Sequence, residues 1–316
     1  MNKTGYLSRI LAAVAIACFC LVGNAAVGNA VGATGAASAA EPAAPAADKD
    51  WLQRAQTNTV LLFPAGTKPC ENPADSLRFL GTGFLLTVPE AGGARSVPYL
   101  ITNKHVLSNQ ASVIARVSTS KGCKCSEITL KSDGAQPTLY FPKKASINLA
   151  AIKIPAIPDS TPFALDYASL SDPVALRGEG VAEGHHLVSL DMFLPGDGSL
   201  ENLSIVRAGS LSMLRFDEWT FSEYGPGQTY VAQLGTTFGA TGMPVFLSGG
   251  RQMLGITKAV AFSPAPASVS VNEVRIEDGI SVPKQVMAKG TAIIPNGLVM
   301  IEPAQNLKEL LQSIGK

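Results

Sequence analysis

The 316-residue chain lacks any marked excess of charge of one sign. It carries 25 Lys and Arg against 24 Asp and Glu, and its longest basic block is the pair Lys143-Lys144. Nucleic-acid binding needs a basic patch or stripe, so we predict no nucleic-acid partner. Internal repeats of roughly 20–50 residues are also lacking, which argues against a solenoid or a propeller.

A long hydrophobic run is missing as well. The apolar stretch 10–23 is too short to span a bilayer comfortably. Basic residues precede it and small residues follow it, which predicts a secretory signal peptide over 1–26, with cleavage possibly as late as residue 40. A retained signal anchor or a lipoprotein is the alternative. The Ala/Pro-rich stretch 27–50 is predicted to be a linker. The protein is therefore expected to be exported, periplasmic or extracellular, without stable membrane insertion after cleavage.

Cysteine is scarce too. Two of the five cysteines lie inside the predicted signal, and the mature chain keeps Cys70, Cys123 and Cys125. These three lack a fourth ligand at a zinc-like spacing, so no metal and no cofactor is predicted. In an oxidising compartment we expect one disulfide, from Cys70 to either of the other two. The remaining thiol is then buried or pairs with another chain.

What the chain does contain is a series of short strand-forming segments, which predicts an all-β fold. Each segment is rich in β-branched or aliphatic residues and is bounded by Gly, Pro or Asn. The segments are 59–63, 79–88, 98–102, 112–118, 149–154, 186–194, 204–214, 228–234, 243–247, 252–262 and 297–303.

A Pro-, Ser- and Asp-rich connection over 155–173 divides these segments into two groups. This division predicts two packed six-stranded antiparallel β-barrels, over 51–160 and 174–303. The end of the chain, 304–316, places four aliphatic residues on one helical face and is predicted to be an α-helix. The insertion 263–290 has no assigned role, and a hairpin beside the cleft is one option.

Three histidines are the candidates for acid–base chemistry. His105 directly follows the apolar strand in "PYLITNKHVL", which is a suitable position for a side chain that projects into a cleft between two barrels. In isolation, a polar turn residue or a core histidine is the simpler interpretation. His185 and His186 lie in a glycine-rich loop and are interpreted as solvated loop residues.

Three segments, in this order, resemble the bacterial trypsin-like serine peptidases of the chymotrypsin fold. They are "GTGFLLTVPEAGGARSVPYLITNKHVL" (81–107), "SINLAAIKI" (146–154) and "FGATGMPVFLSGGRQMLGI" (238–256). The resemblance extends over about 57–314. It implies a double β-barrel with a catalytic His, Asp and Ser in the cleft between the barrels.

Carried over residue by residue, the resemblance implies a degenerate triad. His105 falls on the general base, Asn148 on the orienting aspartate and Thr241 on the nucleophilic serine. The backbone N–H groups of Gly239 and Thr241 would form the oxyanion hole. Met243 stands where the family often has serine.

Both replacements weaken the chemistry. An aspartate-to-asparagine change in such a triad lowers the rate by about four orders of magnitude. Threonine restricts its own χ1 rotamers and, at the internal position 241, has no terminal amine to serve as base. Ser146 could accept a histidine N–H but carries no charge, and Ser248 is expected in a turn beyond the strand.

Three functions therefore follow from the sequence. The first is a catalytically impaired pseudopeptidase that binds a peptide or protein ligand in the inter-barrel cleft. The second is a weakly active endopeptidase in which Thr241 is the nucleophile and His105 the general base. The third is a structural β-domain with an inert site. The contacts of His105 and Thr241 should distinguish among them.

Overall fold

We describe the protein from a computed structural model. The described residues are 52, 55–89, 96–119, 122–131, 138–155, 165–193, 202–220, 226–235, 241–249, 252–277 and 280–314. The predicted signal peptide and linker lie outside these residues. Within them, none of the helices combines the length and the apolar character that crossing a bilayer would take.

The all-β prediction is confirmed. The first sheet contains β1 to β8, in the order β5-β4-β1-β2-β3-β7-β6, and β8 pairs in parallel with β2. These strands are β1 (Thr59–Pro64), β2 (Gly81–Pro89), β3 (Ser96–Thr102), β4 (Ser112–Thr119), β5 (Gly122–Thr129), β6 (Leu139–Tyr140), β7 (Ala150–Lys153) and β8 (Leu165–Asp166).

The C-terminal half forms a closed six-stranded barrel in the order β10-β13-β16-β15-β14-β9. Its strands are β9 (His186–Phe193), β10 (Leu203–Met213), β13 (Tyr230–Gln233), β14 (Pro244–Leu247), β15 (Met253–Glu277) and β16 (Ile280–Pro303), and a separate pair is formed by β11 (Trp219–Thr220) and β12 (Pro226–Gly227). The closed barrel agrees with the architecture predicted for this half.

The N-terminal sheet has more strands than the six predicted. The additional strands include the two-residue strands β6 and β8, which are too short to give a pattern, and β5, which the sequence analysis missed. The segment of β5, "GCKCSEIT", leaves most of its residues exposed or half-buried because it lies at the edge of the sheet. An edge strand needs little apolar surface, so its sequence carries a weak strand signal.

The buried strands of the first sheet contribute side chains to two hydrophobic cores. Along β1, Val60 and Leu62 belong to one buried cluster, and Leu61 and Phe63 belong to another. Successive side chains of a strand point to opposite faces, which explains this division. The second cluster also contains Met243 and other residues of the C-terminal barrel, so it is the layer between the two halves.

The predicted C-terminal helix is confirmed and closes this layer. It runs over Ala304–Ile314 and buries Leu307, Leu310 and Leu311 against both halves. A further short helix, Pro173–Gly178, was not predicted. Asp172 caps its first turn by accepting the N–H groups of the second and third helical residues, a strong N-terminal signal that the loop interpretation overlooked.

The insertion 263–290 forms the outer part of a long hairpin. Strands β15 and β16 continue beyond the barrel and pair with each other from Phe262↔Pro295 to Glu277↔Ile280. No other described strand pairs with this outer part, which is therefore a two-stranded ribbon.

The structure selects one of the two disulfides that the sequence left open. Cys70 is bonded to Cys125, and Cys123 is a half-buried free thiol. The Sγ atom of Cys123 accepts the backbone N–H of Asn202 at 3.2 Å. The disulfide ties the loop after β1 to β5, at the edge of the sheet.

We expect the Cys70→Ser/Cys125→Ser double variant to lose roughly 2–4 kcal/mol of unfolding free energy, because the disulfide closes a 55-residue separation. Cys123→Ser, the matched control, should change it by less than about 1 kcal/mol. Denaturant unfolding measures both. An equal loss in the control would show that the bond contributes no special stability.

Candidate functional site

The turn that carries Thr241 is fastened to the first sheet. The carbonyl oxygen of Thr241 accepts the hydroxyl of Thr82, and the carbonyl of Thr82 accepts the hydroxyl of Thr102 at 2.6 Å. Thr102 ends β3, and His105 follows three residues later, in a 3-10 turn. The sequence-predicted nucleophile position and base position therefore lie at the same end of the layer between the two halves.

Gly242 makes this close approach possible. Its φ is +91°, and a Cβ atom placed on it would lie 2.2 Å from the carbonyl oxygen of Thr82. Its N–H donates to the carbonyl of Thr257 in β15 at 2.7 Å. A residue with a side chain would separate the turn from β2, so glycine is required here.

Asn148 holds His105 through two hydrogen bonds. The Oδ1 atom of Asn148 accepts the backbone N–H of His105 at 3.2 Å. The Nδ2 atom of Asn148 lies 2.8 Å from Nδ1 of the imidazole ring. Asn148 is 4% exposed, whereas the His105 residue is exposed.

These two bonds favour one tautomer of the histidine. Because Oδ1 is taken by the backbone N–H, the atom that faces Nδ1 is the amide nitrogen, which can only donate. The Nδ1 atom must then accept, and the neutral ring carries its proton on Nε2. An aspartate at this position would accept a hydrogen bond from Nδ1–H and leave Nε2 without a proton, free to act as a base. The observed arrangement is the opposite one.

Asn148 is itself fixed from behind by a buried carboxylate. Its backbone N–H donates to Oε2 of Glu302 at 3.3 Å, and its carbonyl accepts the side-chain amide of Asn103 at 2.9 Å. The same Oε2 atom lies 3.4 Å from Nζ of Lys258, and Oε1 accepts the amide of Asn306.

The sequence analysis did not single out Glu302 or Lys258. A signal was available, because each is a charged residue inside an otherwise apolar strand, in "GLVMIEP" and "GITKAVAF". Charged residues are seldom fully buried without a partner, so two such positions indicate a buried pair. Their pairing across β15 and β16 could be assigned only from the fold.

Met243 does not line the cleft. Its side chain is fully buried in the layer between the two halves, and its N–H donates to Oγ1 of Thr257 at 3.0 Å. The Thr241 residue is half-buried. Gly239, the other residue assigned to an oxyanion hole, lies outside the described residues.

The remaining candidates do not join the site. The hydroxyl of Ser146 is buried and has no partner among the described residues, so the expectation that it could accept a histidine N–H is wrong. Ser248 occupies the turn after β14, as expected, where its N–H donates to the carbonyl of His186 at the start of β9. Within the described part of the chain, no three His, Cys, Asp or Glu side chains cluster as a metal site.

A strand edge lies beside the Thr241 turn. β14 pairs with β15 as far as Ile256, and Thr257 bonds to the turn itself. From 258 to 261, β15 pairs with β16 on one side, and no described strand pairs with its other edge. This edge offers backbone N–H and carbonyl groups next to the site.

Comparisons with known proteins find structural likeness alone. No protein-family model matches the chain, and no curated protein matches its sequence. The solved structures similar to it include the MamO protease domain from Magnetospirillum magneticum, at 13% identity and a TM-score of 0.46, covering 82% of this chain and 97% of that one. Rv3671c from M. tuberculosis is similar at 13% identity and a TM-score of 0.45, with 84% and 91% covered. The HtrA-type protease AlgW with a decapeptide is similar at 16% and 0.47, with 83% and 66% covered.

Gly242→Ala should destabilise the protein more than the matched change Gly249→Ala. Both glycines have positive φ, which costs about 1–2 kcal/mol for alanine. A Cβ on Gly249 meets no atom within 4 Å, whereas one on Gly242 meets the Thr82 carbonyl, which adds roughly 1–3 kcal/mol. Thermal or denaturant unfolding measures the difference. Equal losses would contradict the close approach.

The tautomer of His105 can be read directly by ¹⁵N NMR of the imidazole, about two pH units above the usual histidine pKa of about 6.5. In the wild type we expect the proton on Nε2. In Asn148→Asp it should move to Nδ1, because a carboxylate accepts. Asn109→Asp introduces the same charge nearby and should leave the tautomer unchanged. A proton on Nδ1 in the wild type would contradict the assigned orientation of Asn148.

Proposed function

We propose that this chain is a catalytically impaired relative of the trypsin-like serine peptidases that binds an extended peptide in the cleft between its two halves. The observation that carries the proposal is the hydrogen bond from the Asn148 amide to Nδ1 of His105. This bond supports a ring with its proton on Nε2, the atom that would have to accept a proton from the hydroxyl of Thr241. General-base catalysis by His105 is therefore blocked in the neutral ring.

The same arrangement is suited to binding. A ring with its proton on Nε2 can donate a hydrogen bond, and a peptide carbonyl is a matching acceptor. The edge of β15 over 258–261 can receive an extended peptide as an added strand. Backbone hydrogen bonds would give affinity in this mode, and side-chain pockets would give specificity.

Export also belongs to the proposal. The predicted signal peptide over 1–26 supports it, and so does the disulfide between Cys70 and Cys125, since disulfides persist in oxidising compartments. The ligand would therefore be a periplasmic or extracellular peptide or protein segment.

Restoring both replaced groups tests the loss of catalysis. In Asn148→Asp/Thr241→Ser we expect peptide hydrolysis and labelling at position 241 by an active-site phosphonate. The wild type should show neither, because the asparagine alone costs about 10⁴-fold in rate. Mass spectrometry and a broad peptide library provide the readouts. His105→Ala added to the double variant is the control and should abolish both.

The alternative is the weakly active endopeptidase. It predicts that the wild type is labelled at Thr241 and that His105→Ala abolishes this labelling, a result that would overturn the pseudopeptidase proposal. If neither the wild type nor the double variant responds, and the wild type binds no member of the library, the inert structural domain would be the correct interpretation.

A further inference from the structure

A cavity lies beside the segment that leads to Asn148. Its volume is about 460 Å³, which is in the size range of small-ligand pockets. It is bounded by the segment 142–147, by the strand pair β11–β12 and by the C-terminal helix. None of its lining residues is part of the His105–Asn148–Thr241 group.

The walls of this cavity carry charges of both signs. Lys143 lines one side and makes no ion pair or hydrogen bond within the described part of the chain. Lys144, beside it, is paired with Glu218. Glu309 of the helix also lines the cavity, and one of its carboxylate oxygens accepts the amide of Gln305 at 2.7 Å.

The rest of the lining is partly polar and partly apolar. Ile147 and Leu310 both line the cavity, and both pack on the buried layer between the two halves. An ammonium, a carboxylate and an aliphatic floor are complementary to a molecule with a free carboxylate, a free amine and an aliphatic side chain. A short peptide with both termini free has these three groups.

The cavity is also joined to His105 by an unbroken series of contacts. Asn306 lines the cavity and donates to Oε1 of Glu302 at 2.5 Å. The other oxygen of Glu302 accepts the N–H of Asn148, which holds the His105 ring. In addition, Ile147 in the cavity wall directly precedes Asn148. A ligand that contacts Asn306 and Ile147 therefore contacts the groups that fix Asn148.

We infer that this cavity is a second binding site, for a short peptide with free termini. We also infer that a bound peptide changes the hydrogen bonding between Asn148 and the ring of His105. The inference stands apart from the function proposed for the cleft, since the two regions share no side chain. Such coupling must be reciprocal: whatever changes the hold of Asn148 on His105 also changes the affinity of the cavity.

The site is tested with the tripeptide Ala-Leu-Ala, with free termini, titrated into the full chain and followed by NMR. We expect it to bind about tenfold more tightly than its N-acetylated, C-amidated form, because each terminus makes a charge-assisted contact. Lys143→Gln and Glu309→Gln should each weaken binding by about threefold, because each removes one of the two charged contacts. Lys153→Gln, an exposed lysine of β7, is the control and should leave the affinity unchanged.

Two results would overturn the site. One is equal binding of the free and blocked peptides. The other is binding that survives Lys143→Gln but is lost in His105→Ala, which would place the peptide in the cleft. If only the cleft proposal fails, the affinity of the peptide for the cavity would still fall in Lys143→Gln, so the two failures can be told apart.

Coupling is tested on the same samples. Saturating peptide should shift the imidazole NMR signals of His105 in the wild type. Asn306→Ala should weaken peptide binding, since Asn306 lines the cavity, and at saturating peptide the His105 shift should fall by more than half, because the contact to Glu302 is gone. An unmoved His105 signal in the wild type, or an undiminished shift in Asn306→Ala, would overturn the coupling.

Discussion

The carboxylate of Glu302 is the contact on which the arrangement of the site depends. It is 1% exposed and joins the two halves of the molecule, because it lies on β16 of the closed barrel and accepts the N–H of Asn148 from the first sheet. A buried charge without partners would cost several kcal/mol. Here Lys258 supplies the opposite charge, and the amide of Asn306 supplies a further donor. With all these partners in place, the carboxylate fixes one position for Asn148.

Donors and acceptors, more than distances, decide what the site can do. Asn148 occupies the place at which the resemblance implies an aspartate, and it contacts the ring at an ordinary hydrogen-bond length. Its amide donates where a carboxylate would accept. The turn that carries Thr241 is likewise retained through Gly242 and its contacts to Thr82 and Thr257.

Much of the fold was readable from the sequence because each strand carries its own signal. Buried strands such as β1 and β3 are continuous aliphatic runs, and the C-terminal helix places its leucines at helical spacing. The signal failed for β5, an edge strand with little buried apolar surface, and for the short helix capped by Asp172. It failed also for the choice between Cys123 and Cys125, since both lie on β5 two residues apart, and only the position of Cys70 in space separates them.

The sequence by itself determined the types of residue at the candidate site: the histidine, the asparagine and threonine in place of an acid and a serine, and the glycine turn. The chemistry of a side chain follows from its residue type, so these residue types could be identified without a structure. Tertiary structure decided which atom of Asn148 faces the ring, because that orientation depends on the backbone N–H of His105. It also decided that Lys258 and Glu302, 44 residues apart, meet behind the site. Such pairings depend on how β15 and β16 pair in the barrel, and no local sequence pattern shows that Lys258 and Glu302 lie close together in space.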